Sequence, residues 1–286
     1  MARRFRLFAT VAAASLYVII ITGALVRLTD SGLGCESWPG CQEGAFFPAE
    51  DHHGFIEFGN RVFGAIPIAF TFLTWLAVRG TQPARVRHLA LATFLLTLVQ
   101  APIGLIVIAT ELEPVAVIVH FVLALLALGG AILVALEAWG LAPSWEPVPS
   151  ELRLAGVVLA IATLGLVVTG TLATAAGPHS GDPDVGRLWA LDDAMWVHVR
   201  IAGVFGLALL FVLGYLVAHR ARSPLLLRVG LLVAALAVAQ AAVGELQWQL
   251  ELPWGIVLVH VALAAALWGA VVVLVALLQR PSPRLR

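Results

Sequence analysis

Residues 115–139 read VAVIVHFVLALLALGGAILVALEAW, an apolar run broken by His120 near its start and Glu137 near its end. A helix needs about 20 mostly apolar residues to cross the hydrocarbon core. In lipid, only a helix or a closed barrel satisfies every backbone N–H and C=O, and the alternation of a barrel strand is absent. Residues 255–279, GIVLVHVALAAALWGAVVVLVALLQ, repeat the plan with His260 in the same place.

Six further apolar runs lie near 7–28, 54–78, 89–110, 153–176, 193–218 and 229–249. The chain is 12% charged with mean hydropathy +0.98, against about 25% charged in a soluble domain, so lipid is its main solvent. The expectation is an all-α integral membrane protein with eight transmembrane helices, none interrupted at its middle. The first run is too long for the apolar region of a signal peptide. A formal net charge of zero gives no argument for a nucleic-acid partner.

Arginines set the orientation. Arg3, Arg4, Arg6, Arg79, Arg85, Arg87, Arg153, Arg220, Arg222, Arg228, Arg280, Arg284 and Arg286 fall on one side if the spans alternate. The positive-inside rule makes that side cytoplasmic, with both termini there and the plasma membrane as the location. The opposite side is acidic, carrying Asp30, Glu36, Glu43, Glu50, Asp51, Glu111, Glu113, Asp182, Asp184, Asp192, Asp193 and Glu251. Cys35 and Cys41, the only cysteines, lie in the first outer loop, where disulfides are permitted. They can close a small ring or remain two thiols. Trp38, Trp189, Trp196, Trp248 and Trp254 lie near outer boundaries, as interfacial anchors do.

The chain reads as two halves on one plan. Gln100-Ala-Pro-Ile-Gly104 resembles Gln240-Ala-Ala-Val-Gly244, and His120 matches His260, at a common offset of 140 residues. Thr22-Gly23 resembles Thr169-Gly170. In the remaining pair of spans an offset of 138 matches Asn60 to His198, while 139 matches Arg61 to Arg200. A one-residue slip turns a helix by about 100°, so the two registers put different residues at the site. The expected organisation is two pseudo-repeated four-helix bundles, residues 1–140 and 153–286, joined by a cytoplasmic linker at 141–152 that includes Pro143-Ser-Trp-Glu-Pro-Val-Pro149.

Ionisable groups within spans are costly and mark function by default. Here they are Glu57, Arg61, His120, His198, Arg200, Glu245 and His260, all within a few turns of the outer surface. His120, His198 and His260 share a depth of about 8 Å at 1.5 Å rise per residue. Independent packing histidines need not share a plane, whereas a heme layer requires one. His198 and His260, on alternate spans of the second half, are a natural axial pair. In the first half His120 faces Asn60, a poor iron ligand, so either one histidine holds the heme or a loop residue such as His53 substitutes. Glu57 lies one turn before Asn60 and could serve proton transfer or simply pair with Arg61 at i+4. Arg61 and Arg200 suit heme propionates or interhelical ion pairs. His52, His53, His179, His88 and His219 read as solvated or interfacial.

The motifs resemble one family, heme A synthase, over essentially the whole chain. They are Thr22-Gly-Ala-Leu-Val-Arg27, Ser31-Gly-Leu-Gly-Cys35, Trp38-Pro-Gly-Cys41, Ile56-Glu-Phe-Gly-Asn-Arg61, Gln100 to Gly104, His120, Thr169-Gly, Gly177-Pro-His-Ser-Gly-Asp182, His198, Gln240 to Gly244, and His260. The resemblance implies eight spans in two similar halves and conversion of heme O to heme A, a porphyrin methyl becoming a formyl by successive hydroxylation, for heme-copper terminal oxidases. It implies substrate heme in the amino-terminal half, at His120, Asn60 and Arg61, and a heme b cofactor between His198 and His260 in the other. It also implies Glu57 as the essential acid, a Cys35–Cys41 disulfide, and a heme O synthase as supplier. The family commonly has histidine where this chain has Asn60. The electron donor and any homo-oligomerisation are not legible in the residues. The competing readings are a non-catalytic b-type cytochrome, which gives Glu57 no chemical role, and, ranked last, a transporter built from repeats.

Overall fold

The computed structural model describes residues 2–49, 51–141, 148–179 and 186–279. Glu50, most of the linker at 142–147, Asp182, Asp184 and the arginines at 280, 284 and 286 lie outside the described residues. Nine helices are formed among the described residues: α1 (Ala2–Leu28), α2 (His52–Val78), α3 (Ala84–Leu98), α4 (Gln100–Ala109), α5 (Pro114–Trp139), α6 (Ser150–Ala176), α7 (Leu191–Ala218), α8 (Pro224–Gln249) and α9 (Trp254–Gln279). With α3 and α4 taken as one span, eight segments are long and apolar enough to cross a membrane.

The third span departs from the expectation of uninterrupted helices. It breaks for one residue at Val99. The local cause is Pro102, which has no N–H to donate to the carbonyl four residues earlier. Its counterpart in the second half is Ala242, and α8 runs through unbroken.

Local chemistry sets the helix starts. The Asp51 side chain accepts the Gly54 N–H at 3.0 Å and caps α2. This hydrogen bond holds the Asp51 carboxyl below its ordinary range. Glu113 accepts the Ala116 N–H at 2.9 Å ahead of Pro114, and Ser223 caps α8 ahead of Pro224. Both put proline in the first turn, where its missing N–H costs nothing. The turns after α4 and α8 share one geometry. Glu111 and Leu112 have φ of 52° and 61°, and Glu251 and Leu252 have 60° and 62°. In each turn the leucine N–H closes onto a carbonyl five residues back, Leu112 on Val107 at 2.9 Å and Leu252 on Gln247 at 2.7 Å.

The helices form two rings of the same connectivity. In the first, α1 packs on α2, α2 on α3, α3 on α5 and α5 on α1; in the second, α6 packs on α7, α7 on α8, α8 on α9 and α9 on α6. The duplication read from the sequence is consistent with this arrangement. The rings meet where α9 packs on α1 and α5. There Leu16, Ile20, Leu125, Leu128, Ala265 and Trp268 form one buried cluster. Trp268 Nε1 donates to the Leu125 carbonyl at 2.7 Å, and Tyr17 Oη to the Ala262 carbonyl at 3.2 Å. A Cβ on Gly129 would lie 3.6 Å from Val272, and one on Gly269 3.0 Å from Ile132. These contacts exchange under the 140-residue offset, so α5 and α9 cross as near-equivalent partners. Many other large apolar side chains are exposed, Leu207 and Val238 among them, as expected where lipid is the solvent.

Candidate functional site

One end of the two rings carries many of the polar residues singled out in the sequence. The loop between α1 and α2 folds back onto α2. Cys35 and Cys41 are joined as a disulfide, and both are buried with Phe58. Glu57 is buried beneath the loop. One of its oxygens accepts the Cys35 N–H at 2.8 Å, and the other accepts Arg61 Nε at 3.1 Å. The Nη1 group of Arg61 donates to the Ser37 and Gly40 carbonyls at 2.8 and 2.6 Å. The i+4 pair therefore forms, and it clamps the disulfide loop to the helix. Gly34 permits this contact: a Cβ there would sit 2.5 Å from the His53 carbonyl carbon.

The register of the second and sixth spans is decided by threonine. Thr22 Oγ1 donates to Asn60 Oδ1 at 2.8 Å, and Thr169 Oγ1 lies 2.9 Å from His198 Nδ1. Thr22 and Thr169 are the repeat-related residues, so Asn60 and His198 occupy matching places. Arg61 and Arg200 do not match in role. Arg200 is exposed, stacks on Trp196 at 3.2 Å and donates to the Trp196 carbonyl.

The Thr169 hydroxyl already donates to the Gly165 carbonyl at 2.8 Å. It therefore accepts from His198 Nδ1–H, which leaves Nε2 as the basic nitrogen. An N–H fixed by a second partner is what orients a ligating histidine. His260 lies near enough to His198 to interact with it electrostatically. Its Nε2 meets Gln240 Nε2 at 3.0 Å. Glycines cradle these rings: a Cβ on Gly244 would lie 3.0 Å from His260 Cε1, on Gly170 3.3 Å from His198 Cε1, and on Gly104 3.7 Å from His120 Cε1.

Among the described residues six buried side-chain polar atoms have no hydrogen-bond partner, and four belong to the matched pairs Gln100 with His120 and Gln240 with His260. Each such atom costs about 1–3 kcal/mol, so their convergence on two equivalent places marks sites left incomplete by the protein alone. Imidazoles backed by glycine, one of them with a nitrogen held by a hydroxyl, fit a flat iron-bearing macrocycle. Among the described residues no cluster of three or more histidine, cysteine, aspartate or glutamate side chains is suited to a bare metal ion.

His53 is placed apart from Asn60. It lies seven residues earlier in α2, about 10 Å along the axis, and its Nδ1 is 2.9 Å from Ser31 Oγ. His179 donates through Nε2 to the Leu252 carbonyl at 2.7 Å and straps the connection after α6 to the turn after α8. Glu245 is exposed and accepts the Gln249 amide. The contacts of Thr22 with Asn60, Thr169 with His198 and Gln240 with His260 are not readable from periodicity. Their repeated pairing with glycine was the available signal.

Fold and site together define a polytopic helix-bundle membrane protein that presents histidines from facing helices near one surface. The chain belongs to the COX15-CtaA family of cytochrome oxidase assembly proteins, whose pattern matches residues 6–272. It is similar to the heme A synthase of Symbiobacterium thermophilum, 32% identical over 124 residues that make up 42% of this chain and 40% of that protein. The heme A synthase of Geobacillus thermodenitrificans is 32% identical over 104 residues, 34% of this chain and 31% of that one. The heme A synthase of Shewanella oneidensis is 28% identical over 137 residues, 42% and 39% of the two chains. The matched stretches thus span well under half the length of these relatives.

Proposed function

We propose that this protein is a heme A synthase, oxidising the methyl group of heme O to the formyl group of heme A by successive hydroxylation, in service of heme-copper oxidase assembly. The observation that carries the reading is the asymmetry between two equivalent places. One ring offers two histidines, His198 and His260, with His198 Nδ1–H taken by Thr169 at 2.9 Å. The other offers His120 opposite Asn60, which Thr22 holds at 2.8 Å. His198 and His260 would together hold a resident heme b, which supplies electron transfer. His120 alone would hold the substrate heme and leave room beside Asn60 for chemistry. On this reading residues 1–140 hold substrate heme and residues 153–286 hold the cofactor.

Glu57 is the acidic group in this scheme. Its pairing with Arg61 and the Cys35 N–H fixes the carboxylate one turn from Asn60 and couples the disulfide loop to the substrate side. Redox chemistry comes from the bound hemes; the chain positions them, excludes water with its apolar walls and holds the carboxylate. Heme O, carrying a farnesyl tail, enters from lipid and is supplied by a heme O synthase. The outer loops face away from the cytoplasm, both termini face it, and the membrane is the plasma membrane.

The test is co-expression with a source of heme O in a host lacking heme A, followed by heme extraction and mass detection. Heme A or its hydroxylated precursor is the expected product. Heme-loaded protein yielding only hemes B and O would refute the proposal and favour the non-catalytic cytochrome, which the full pairing of Glu57 and the presence of Asn60 would then explain.

A further inference from the structure

We propose that Arg27 is the docking point for a carboxylate of the porphyrin seated in the first ring, an inference that rests on the heme reading above. Arg27 occupies the last turn of α1, between the buried residues Val26 and Leu28. It lies one turn beyond Gly23 and therefore on nearly the same face. Gly23 looks toward the site, since a Cβ there would lie 3.9 Å from Asn60 Nδ2.

The guanidinium is left without a partner. Its Nε is buried and makes no hydrogen bond, and it joins none of the ion pairs among the described residues. The negative end of α1 accounts for a cation at this turn. It does not account for a buried N–H aimed at nothing. A planar fork of N–H donors with one donor left over matches a carboxylate best. A porphyrin carries its carboxylates along one edge.

The second ring lacks this feature. The position one turn after Gly170 is Thr174, whose hydroxyl donates to the Gly170 carbonyl at 2.8 Å. The difference parallels the difference in iron ligands. A heme held on both faces by His198 and His260 is already fixed. A heme held by His120 alone can turn about its single axial bond, and a second attachment at its edge fixes which substituent meets the reacting position. Arg27 is thus a positioning residue for the substrate.

The experiment titrates heme-free protein in detergent with hemin and with hemin dimethyl ester, whose carboxylates are capped. Wild type, R27Q and R27K are followed by absorption. One-histidine binding gives a high-spin spectrum and two-histidine binding a low-spin one, so the rings report separately. In the high-spin phase wild type should prefer hemin over the ester by about tenfold or more, the size of a lost charge-assisted hydrogen bond. R27Q should abolish the preference and R27K keep part of it, with the low-spin phase unchanged. A preference that persists in R27Q, or its absence in wild type that binds both porphyrins, overturns the proposal while leaving the heme reading intact. Loss of both phases in both variants assigns Arg27 to folding and also overturns it. Wild type that takes up neither porphyrin overturns the heme reading itself.

Discussion

Replacing Asn60 with histidine should turn the first ring into a two-histidine site. The Thr22 hydroxyl stands 2.8 Å from Asn60 Oδ1, where the Thr169 hydroxyl stands 2.9 Å from His198 Nδ1. Space is available, because the gap from an ideal Cβ on Gly23 to Asn60 is 3.9 Å, against 3.3 Å from Gly170 to His198. An imidazole at position 60 would therefore present Nε2 toward the heme face opposite His120. A second axial bond should tighten heme binding in this ring by about tenfold or more, about 1.4 kcal/mol. It should also convert the high-spin component of the absorption and electron paramagnetic resonance spectra to low spin. Adding Thr22→Val should weaken the gain by removing the partner for Nδ1–H. The reasoning fails if Asn60→His binds heme and stays high-spin, because the two positions would then not be equivalent.

Three further outcomes follow from the same geometry. Glu57→Gln should stop formyl production while heme b remains bound, and it should lower stability by about 3 kcal/mol, because Arg61 loses a largely buried ionic partner; heme extraction and thermal unfolding in detergent check the two parts. Thr169→Val should weaken heme binding in the second ring by about 10–100-fold, since His198 loses the acceptor that orients it, and a low-spin titration would expose the error if affinity is unchanged. Because the Gly54 N–H lowers the Asp51 carboxyl pKa, its contribution is present above the ordinary aspartate range and lost as pH falls through the lowered value. The first turn of α2 should therefore exchange its amides faster below about pH 4, and Asp51→Asn should show no such dependence.

The number of spans was legible in the chain, because hydropathy is local and a helix has a known rise per residue. The break at Val99 was legible in principle, in Pro102. Other features were not. Whether position 60 corresponds to 198 or to 199 depends on how α2 turns against α1, which only the Thr22 contact decides. Glu57 and Arg61 could be seen to share a helix face, but their burial beneath the Cys35–Cys41 loop depends on Gly34 meeting His53 across the fold. His53 and Arg200 had alternative readings in the sequence, and tertiary packing set one beside Ser31 and the other on Trp196. Lipid solvation and backbone hydrogen bonding act residue by residue, and they determined what crosses the membrane. The rotation of each helix about its axis is set by contacts between segments distant in sequence, so the composition of the site was decided only when the rings closed.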